Sequence, residues 1–153
     1  MHYPIKYKKL TTNVEYYSEV VVLHKEAENY LYNFDWCESI NNSSLYINLG
    51  SKLCVFLFEI DNSASKEDNT LWVIVGDIPS MYLDIYGPKS TREVLNTYVE
   101  LAEDWIEHVK LGKSIDECYP FNAEATSQMA DLLEKKITFI KNKVIENIEE
   151  VQL

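Results

Sequence analysis

Residues 71–82 read LWVIVGDIPSMY. Five apolar residues, Leu71 to Val75, run straight into Gly76-Asp77-Ile78-Pro79, and the fold turns on whether that break is a loop with chemistry or the end of a buried strand. A short apolar run rich in β-branched residues and bounded by turn formers is the pattern of a strand covered on both faces. Gly76 can leave the sheet through backbone angles closed to other residues, and Pro79 fixes φ and donates no ladder hydrogen bond. Asp77 is placed to cap the turn between them.

Working outward, Leu53 to Ile60 is apolar at nearly every position and reads as a second central strand. The connection between the two runs, residues 61–69, is rich in Asp, Asn and Ser and too short for a crossover helix, so the strands return antiparallel. Gly50-Ser51 separates Leu45–Leu49 from Lys52–Ile60 as a hairpin would, with Ser39–Ser44 as a polar break before it. A short fourth strand is expected around Tyr82 to Tyr86, ended by Gly87-Pro88.

Helices flank this meander. Thr12-Asn13-Val14-Glu15 fits a capping box, and Tyr17, Val20, Val21, His24, Ala27, Leu31 and Phe34 follow at helical spacing, predicting a helix over 13–34. Ser90-Thr91-Arg92-Glu93 caps a second helix with Leu95, Tyr98, Val99, Ala102, Trp105, Ile106 and Val109 inward, and Gly112 terminates it. Ser114–Glu117 repeats the box over a short helical turn. Thr126 caps a last helix whose stripe, Met129, Leu133, Ile137, Ile140, Val144, Ile148 and Val151, covers the sheet or forms a dimer seam. The expectation is one α+β domain over 1–153: an N-terminal helix, an antiparallel meander of three to four strands, then C-terminal helices packed on the sheet.

The chain carries 25 acidic and 14 basic residues, a formal charge of −11, which repels nucleic-acid phosphates and suits a basic protein partner. No apolar run approaches the about 20 residues of a membrane span, and no h-region follows the N-terminus, so a cytoplasmic location is expected. Cys37, Cys54 and Cys118 are widely spaced without a C-x-x-C pair, the pattern of reduced, buried thiols.

Catalytic and cofactor motifs are absent: the four glycines are isolated, there is no G-x-S-x-G, and no cofactor is implied. His24 lies on the apolar stripe of the first helix and reads as a satisfied core residue. Glu100, Asp104 and His108 are spaced to share one helix face as metal ligands do, but Glu93, Glu103 and Glu107 extend the same face, which favours a solvated acidic surface over a metal site. Asp77 and Asp84, with Tyr82, form the candidate ligand pocket of an alternative enzyme or ligand-binding reading. Eleven tyrosines suit a recognition surface, being rigid, apolar in body and polar at the tip. The candidate partner-binding residues are therefore Tyr82, Asp84, Tyr86, Glu100, Glu103, Asp104 and Glu107.

The segment from Leu71 to Pro79, followed by Tyr82 and by Arg92-Glu93-Val94-Leu95 on a capped helix, resembles small bacterial proteins of the domain-of-unknown-function class 4826. The resemblance covers the middle of the chain and implies a bacterial origin without assigning a catalytic role. By class rather than by motif, a small acidic α+β protein also resembles immunity proteins, which neutralise a cognate toxin by binding it. The expected function is a non-enzymatic protein-binding module that occludes a basic toxin domain, with a structural homodimer as a further alternative.

Overall fold

The computed structural model describes residues 2–153. Among these, five antiparallel strands form one sheet in chain order: β1 (Ile5–Lys6), β2 (Cys37–Asn48), β3 (Leu53–Asn62), β4 (Thr70–Gly76) and β5 (Met81–Asp84). The two apolar runs are the central pair, in register from Leu53↔Gly76 to Glu59↔Thr70. Side-chain alternation sends Leu53, Val55, Trp72, Ile74 and Met81 to one face, and Cys54, Phe56, Phe58, Leu71, Val73 and Val75 to the other. Each face is closed by helix. α1 (Tyr17–Tyr32) covers the second face with Val20, Leu23, Ala27 and Leu31. α2 (Thr91–Lys110) and α3 (Ser127–Phe139) cover the first, so the α+β domain has helices on both sides of its sheet.

Trp72, Trp105, Tyr98, Phe56 and Phe58 are the largest fully buried side chains, each contributing roughly 1.5–3 kcal/mol by leaving water. Trp72 and Tyr98 keep their polar tips satisfied: Trp72 Nε1 donates to Pro88 O (2.9 Å) and the Tyr98 hydroxyl to Pro79 O (2.6 Å).

Several local expectations are corrected. The first helix starts at Tyr17 rather than Asn13; Tyr16 at its head is left-handed (φ 56°), and Thr12 makes no cap. The polar stretch Ser39–Ser44 is strand, because β2 is zipped to the apolar β3 over Cys37–Asn48 and pairing outweighs the weak β-propensity of Ser and Asn. A register shift between Leu45 and Ile47 lets both Tyr46 and Ile47 reach the α2 face. In place of the helical turn expected after Ser114, the chain makes a single turn at residues 116–117, with the Ser114 hydroxyl accepting from Asp116 N (3.2 Å).

The two later caps hold, at Ser90 and Thr126, which accept from Glu93 N (3.3 Å) and Met129 N (3.2 Å). The last helix, expected to run to Val151, ends at Phe139 and passes into a π-helical segment, Ile140–Val144. Its stripe residues Leu133, Ile137, Ile140 and Val144 are buried in the chain's own core, so the stripe covers the sheet. Residues 148–153 then return to clamp the head of α2. Thr91 N donates to Val151 O (3.0 Å), Val151 N to Thr91 Oγ1 (2.9 Å), and Leu153 N to Lys89 O (2.8 Å).

Gly76 ends β4 at φ +146°, where a Cβ would collide with the Lys52 carbonyl oxygen and lie 2.9 Å from Leu53 Cα. Gly112 is also left-handed (φ +66°), yet a Cβ there meets nothing within 4 Å. Gly76→Ala should therefore cost about 3 kcal/mol in urea unfolding, through strain plus collision, whereas Gly112→Ala should cost about 1 kcal/mol, through strain alone. Equal losses at the two positions would contradict the close approach of β4 to Lys52.

Candidate functional site

β5 is an edge strand, and its outer side is sealed by one hydroxyl. Tyr119, from the connection between α2 and α3, accepts from Tyr82 N (3.0 Å) and lies 3.3 Å from Tyr82 O as a donor. Its remaining lone pair faces the Tyr30 hydroxyl of α1 at 3.3 Å. One donor and two acceptor positions are thus all used, and the phenol stands in for the strand that would otherwise pair with β5. Burial pushes the Tyr30 pKa far up, and donating its proton to Tyr119 adds to the shift.

Around this seal lies an aromatic cluster. Phe34 stacks on Trp36 (4.9 Å between ring centres), and Tyr82 meets both edge-on, at 5.1 and 5.2 Å. Trp36, Tyr82 and Tyr119 form the apolar wall of an open cleft of about 360 Å³, whose polar wall includes Asn62, Asp68 and Asp84. Two tied loops hold its shape. Asn62 Oδ1 accepts from Ala64 N (2.9 Å) and Ser65 N (3.0 Å), while its amide donates to Asp68 O (3.1 Å). Asp84 Oδ1 accepts from Tyr86 N (2.9 Å) and Gly87 N (3.1 Å), and the Tyr86 hydroxyl reaches Glu67 O (3.2 Å). Burial raises the Tyr82 pKa and the nearby Asp68 carboxylate raises it further, so the hydroxyl stays protonated. Two carboxylates against three aromatic rings can attract a cation, by charge and by the negative ring faces.

The anticipated partner-binding residues fall into two groups. Tyr82 and Asp84 line the cleft, with Tyr86 62% exposed beside it. Glu100, Glu103, Asp104 and Glu107 are exposed on α2, which lies over the opposite face of the sheet from the Tyr82 ring. Glu103 is paired with Lys141 at 3.3 Å. Asp77 does not join Tyr82 and Asp84 in one pocket. Asp84 pairs with Leu71 at the far end of β4, about 20 Å along the strand from Asp77. Nor does Asp77 cap its turn: its exposed carboxylate is bound by Lys136 Nζ at 3.0 Å, on the rim of an apolar groove of about 300 Å³ that includes Leu49, Ile78 and Phe139. The acid pair is thereby excluded, and Gly76–Pro79 serves as architecture that also edges a groove.

On α2, Asp104 and His108 approach as their spacing foretold, with Nδ1 3.5 Å from Asp104 Oδ1. The third member of the group is Cys118 rather than Glu100: the ligand-capable atoms of Asp104, His108 and Cys118 lie within 4.8 Å of one another. All three cysteines are free thiols and buried.

His24 is a core residue, as expected, but it has an acid neighbour that the stripe reading passed over. Glu28, one turn on, lies 3.5 Å from Nδ1, and Ser43 Oγ lies 2.7 Å from Nε2. The order resembles nucleophile, base and orienter. However, Tyr7 stacks on the imidazole at 3.4 Å, and neither of the clefts described above includes these residues. The i, i+4 spacing of His24 and Glu28 was visible in the sequence; the contribution of Ser43 required the β2 pairing. Trp36 and Asp68 were likewise missed, since only the tertiary fold brings them to Tyr82.

No family model, curated protein or solved structure matches the chain. Among the described residues, no helix is long and apolar enough to cross a membrane.

Tyr119→Phe removes the hydroxyl that seals β5 and leaves Tyr82 N–H, Tyr82 C=O and the Tyr30 hydroxyl without that partner. A loss of about 1–3 kcal/mol is expected in urea unfolding, with faster amide exchange at Tyr82. A second expectation concerns acid. Burial, with help from Lys25, lowers the His24 pKa from 6.5 to about 4, so the unfolded chain takes up a proton that the folded chain refuses. Stability is full above pH 6.5 and falls as pH drops toward 4. Urea midpoints measured across that interval should decline in the wild type and decline less in His24→Phe.

Proposed function

We propose that this chain is a non-enzymatic binding protein that captures a basic protein partner, acting as a bacterial immunity protein does when it occludes a toxin domain. The observation that carries the reading is the cleft, in which Trp36, Tyr82 and Tyr119 face Asp68 and Asp84. A lysine or arginine side chain fits that chemistry: its stem lies on the rings and its charged head meets the carboxylates. The exposed acids of α2 and the net charge of −11 add long-range attraction that speeds the encounter with a basic surface. Trp and Tyr anchors beside charged groups are what concentrates binding energy in protein interfaces. The resemblance to the domain-of-unknown-function class 4826, and the immunity reading itself, rest on sequence and surface chemistry.

The test is co-expression with the products of the adjacent reading frames, followed by binding kinetics at low and high salt. A complex should form with a basic product, and its association rate should fall steeply as salt rises. Trp36→Ala should weaken it by more than roughly 2 kcal/mol. Asp68→Asn with Asp84→Asn, which keeps the turn acceptors but removes both charges, should weaken it by at least roughly tenfold. If no neighbouring product binds, or the cleft variants bind with unchanged affinity, the proposal is wrong.

A further inference from the structure

We propose that Asp104, His108 and Cys118 form a binding site for a divalent transition-metal cation of the zinc type, separate from the cleft. Asp104 and His108 stand one turn apart on α2 and so project from the same side of the helix. Cys118 is brought to them by the following turn, closed by Cys118 N donating to Ile115 O at 3.0 Å. Among the described residues, this is the group of metal-ligating side chains that the fold gathers, with its ligand atoms within 4.8 Å of one another.

The donor set selects the metal. One sulfur, one imidazole nitrogen and one carboxylate oxygen suit zinc and its neighbours, while calcium and magnesium require oxygen throughout. Ligands of a tetrahedral zinc ion lie roughly 3.5 Å from each other, given bonds of about 2.0–2.3 Å. The widest separation in the group must therefore close by up to about 1 Å, which rotation of the Asp104 side chain, 48% exposed, supplies. His108 Nδ1 donates to the Asp104 carbonyl oxygen at 2.7 Å, which fixes the ring and leaves the Nε2 lone pair for the metal.

What distinguishes the group from an ordinary acidic helix face is the thiol. Cys118 is only 7% exposed and comes from outside the helix. It is held as a thiol by burial and by the Asp104 and Glu117 carboxylates. On metal binding, the sulfur–hydrogen bond is replaced by a sulfur–metal bond and the proton leaves to solvent. Three protein ligands leave one coordination position for water.

The experiment uses the full chain after dialysis against a chelator. Titration with Zn²⁺ by calorimetry should give one site per chain, and Co²⁺ should produce a thiolate-to-cobalt charge-transfer band. Cys118→Ser, His108→Ala and Asp104→Asn should each weaken Zn²⁺ binding by more than roughly tenfold, and Cys118→Ser should abolish the cobalt band. Glu100→Gln and Cys37→Ser, outside the group, should leave both unchanged, and circular dichroism of each apo variant checks its fold. The absence of stoichiometric Zn²⁺ binding, a missing thiolate band, or wild-type affinity in the three ligand variants would overturn the proposal.

Discussion

The structure depends on β3 and β4 being apolar on both faces. A strand with one polar face can leave that face in water, but Phe56, Phe58, Val73 and Val75 point one way while Val55, Trp72 and Ile74 point the other, and all are fully buried. Cover is needed on both sides, and the chain supplies it asymmetrically. α1, with small and β-branched contacts at Val20 and Ala27, lies on one face; the larger pair α2 and α3, with Tyr98 and Trp105, lies on the other. The clamp of residues 148–153 on Thr91 and Lys89 follows from this arrangement, since it secures the start of the helix that covers Trp72.

Covering the faces leaves the edges. β1 is two residues long and followed by Lys8 and Lys9, and so offers little to another strand. At the other edge, the chain closes β5 with the phenol of Tyr119 rather than with backbone. That solution shapes the surface beside the edge. A sixth strand would have carried the sheet onward, whereas a single ring closes the ladder at Tyr82 and leaves a concavity between it, Trp36 and the loops bearing Asp68 and Asp84. The same aromatic residue therefore stabilises the edge and forms a wall of the cleft.

The central strands, their antiparallel pairing and the stripe of α2 were legible because each depends on local pattern: unbroken apolar runs, a loop too short for a crossover, and apolar residues every three or four positions. The Ser90 and Thr126 caps were legible for the same reason. Ser39–Ser44 was not, since its strand character comes from the partner it pairs with. The head of α1 misled because Thr12 and Glu15 have capping chemistry, while the chain instead turns through a left-handed Tyr16. At the site, Tyr82 and Asp84 could be singled out by type and position. Trp36, Asp68 and Tyr119 could not be joined to them, for they lie 46, 14 and 37 positions away and meet only when the sheet forms. Cys118 escaped the metal reading for the same reason: a helical face shows its own ligands, never the one that a later loop delivers.

The net charge of −11 is not spread evenly, and its distribution bears on orientation. At the Gly76 end of β4, Lys52, Lys135, Lys136 and Lys143 edge two adjoining apolar grooves, and of these Lys136 is bound to Asp77. At the Leu71 end, Asp68 and Asp84 face the aromatic cleft. Lysines thus gather at one end of the central strands and the two cleft carboxylates at the other. If the partner is the basic surface proposed above, this distribution favours the cleft end in their encounter. Two acids lie among these lysines: Glu19 lines one groove, and Asp77, in the stretch that ends β4, lines the other. Lys136 offsets the Asp77 charge there, while at the other end Asp68 and Asp84 stand beside the rings of Trp36, Tyr82 and Tyr119.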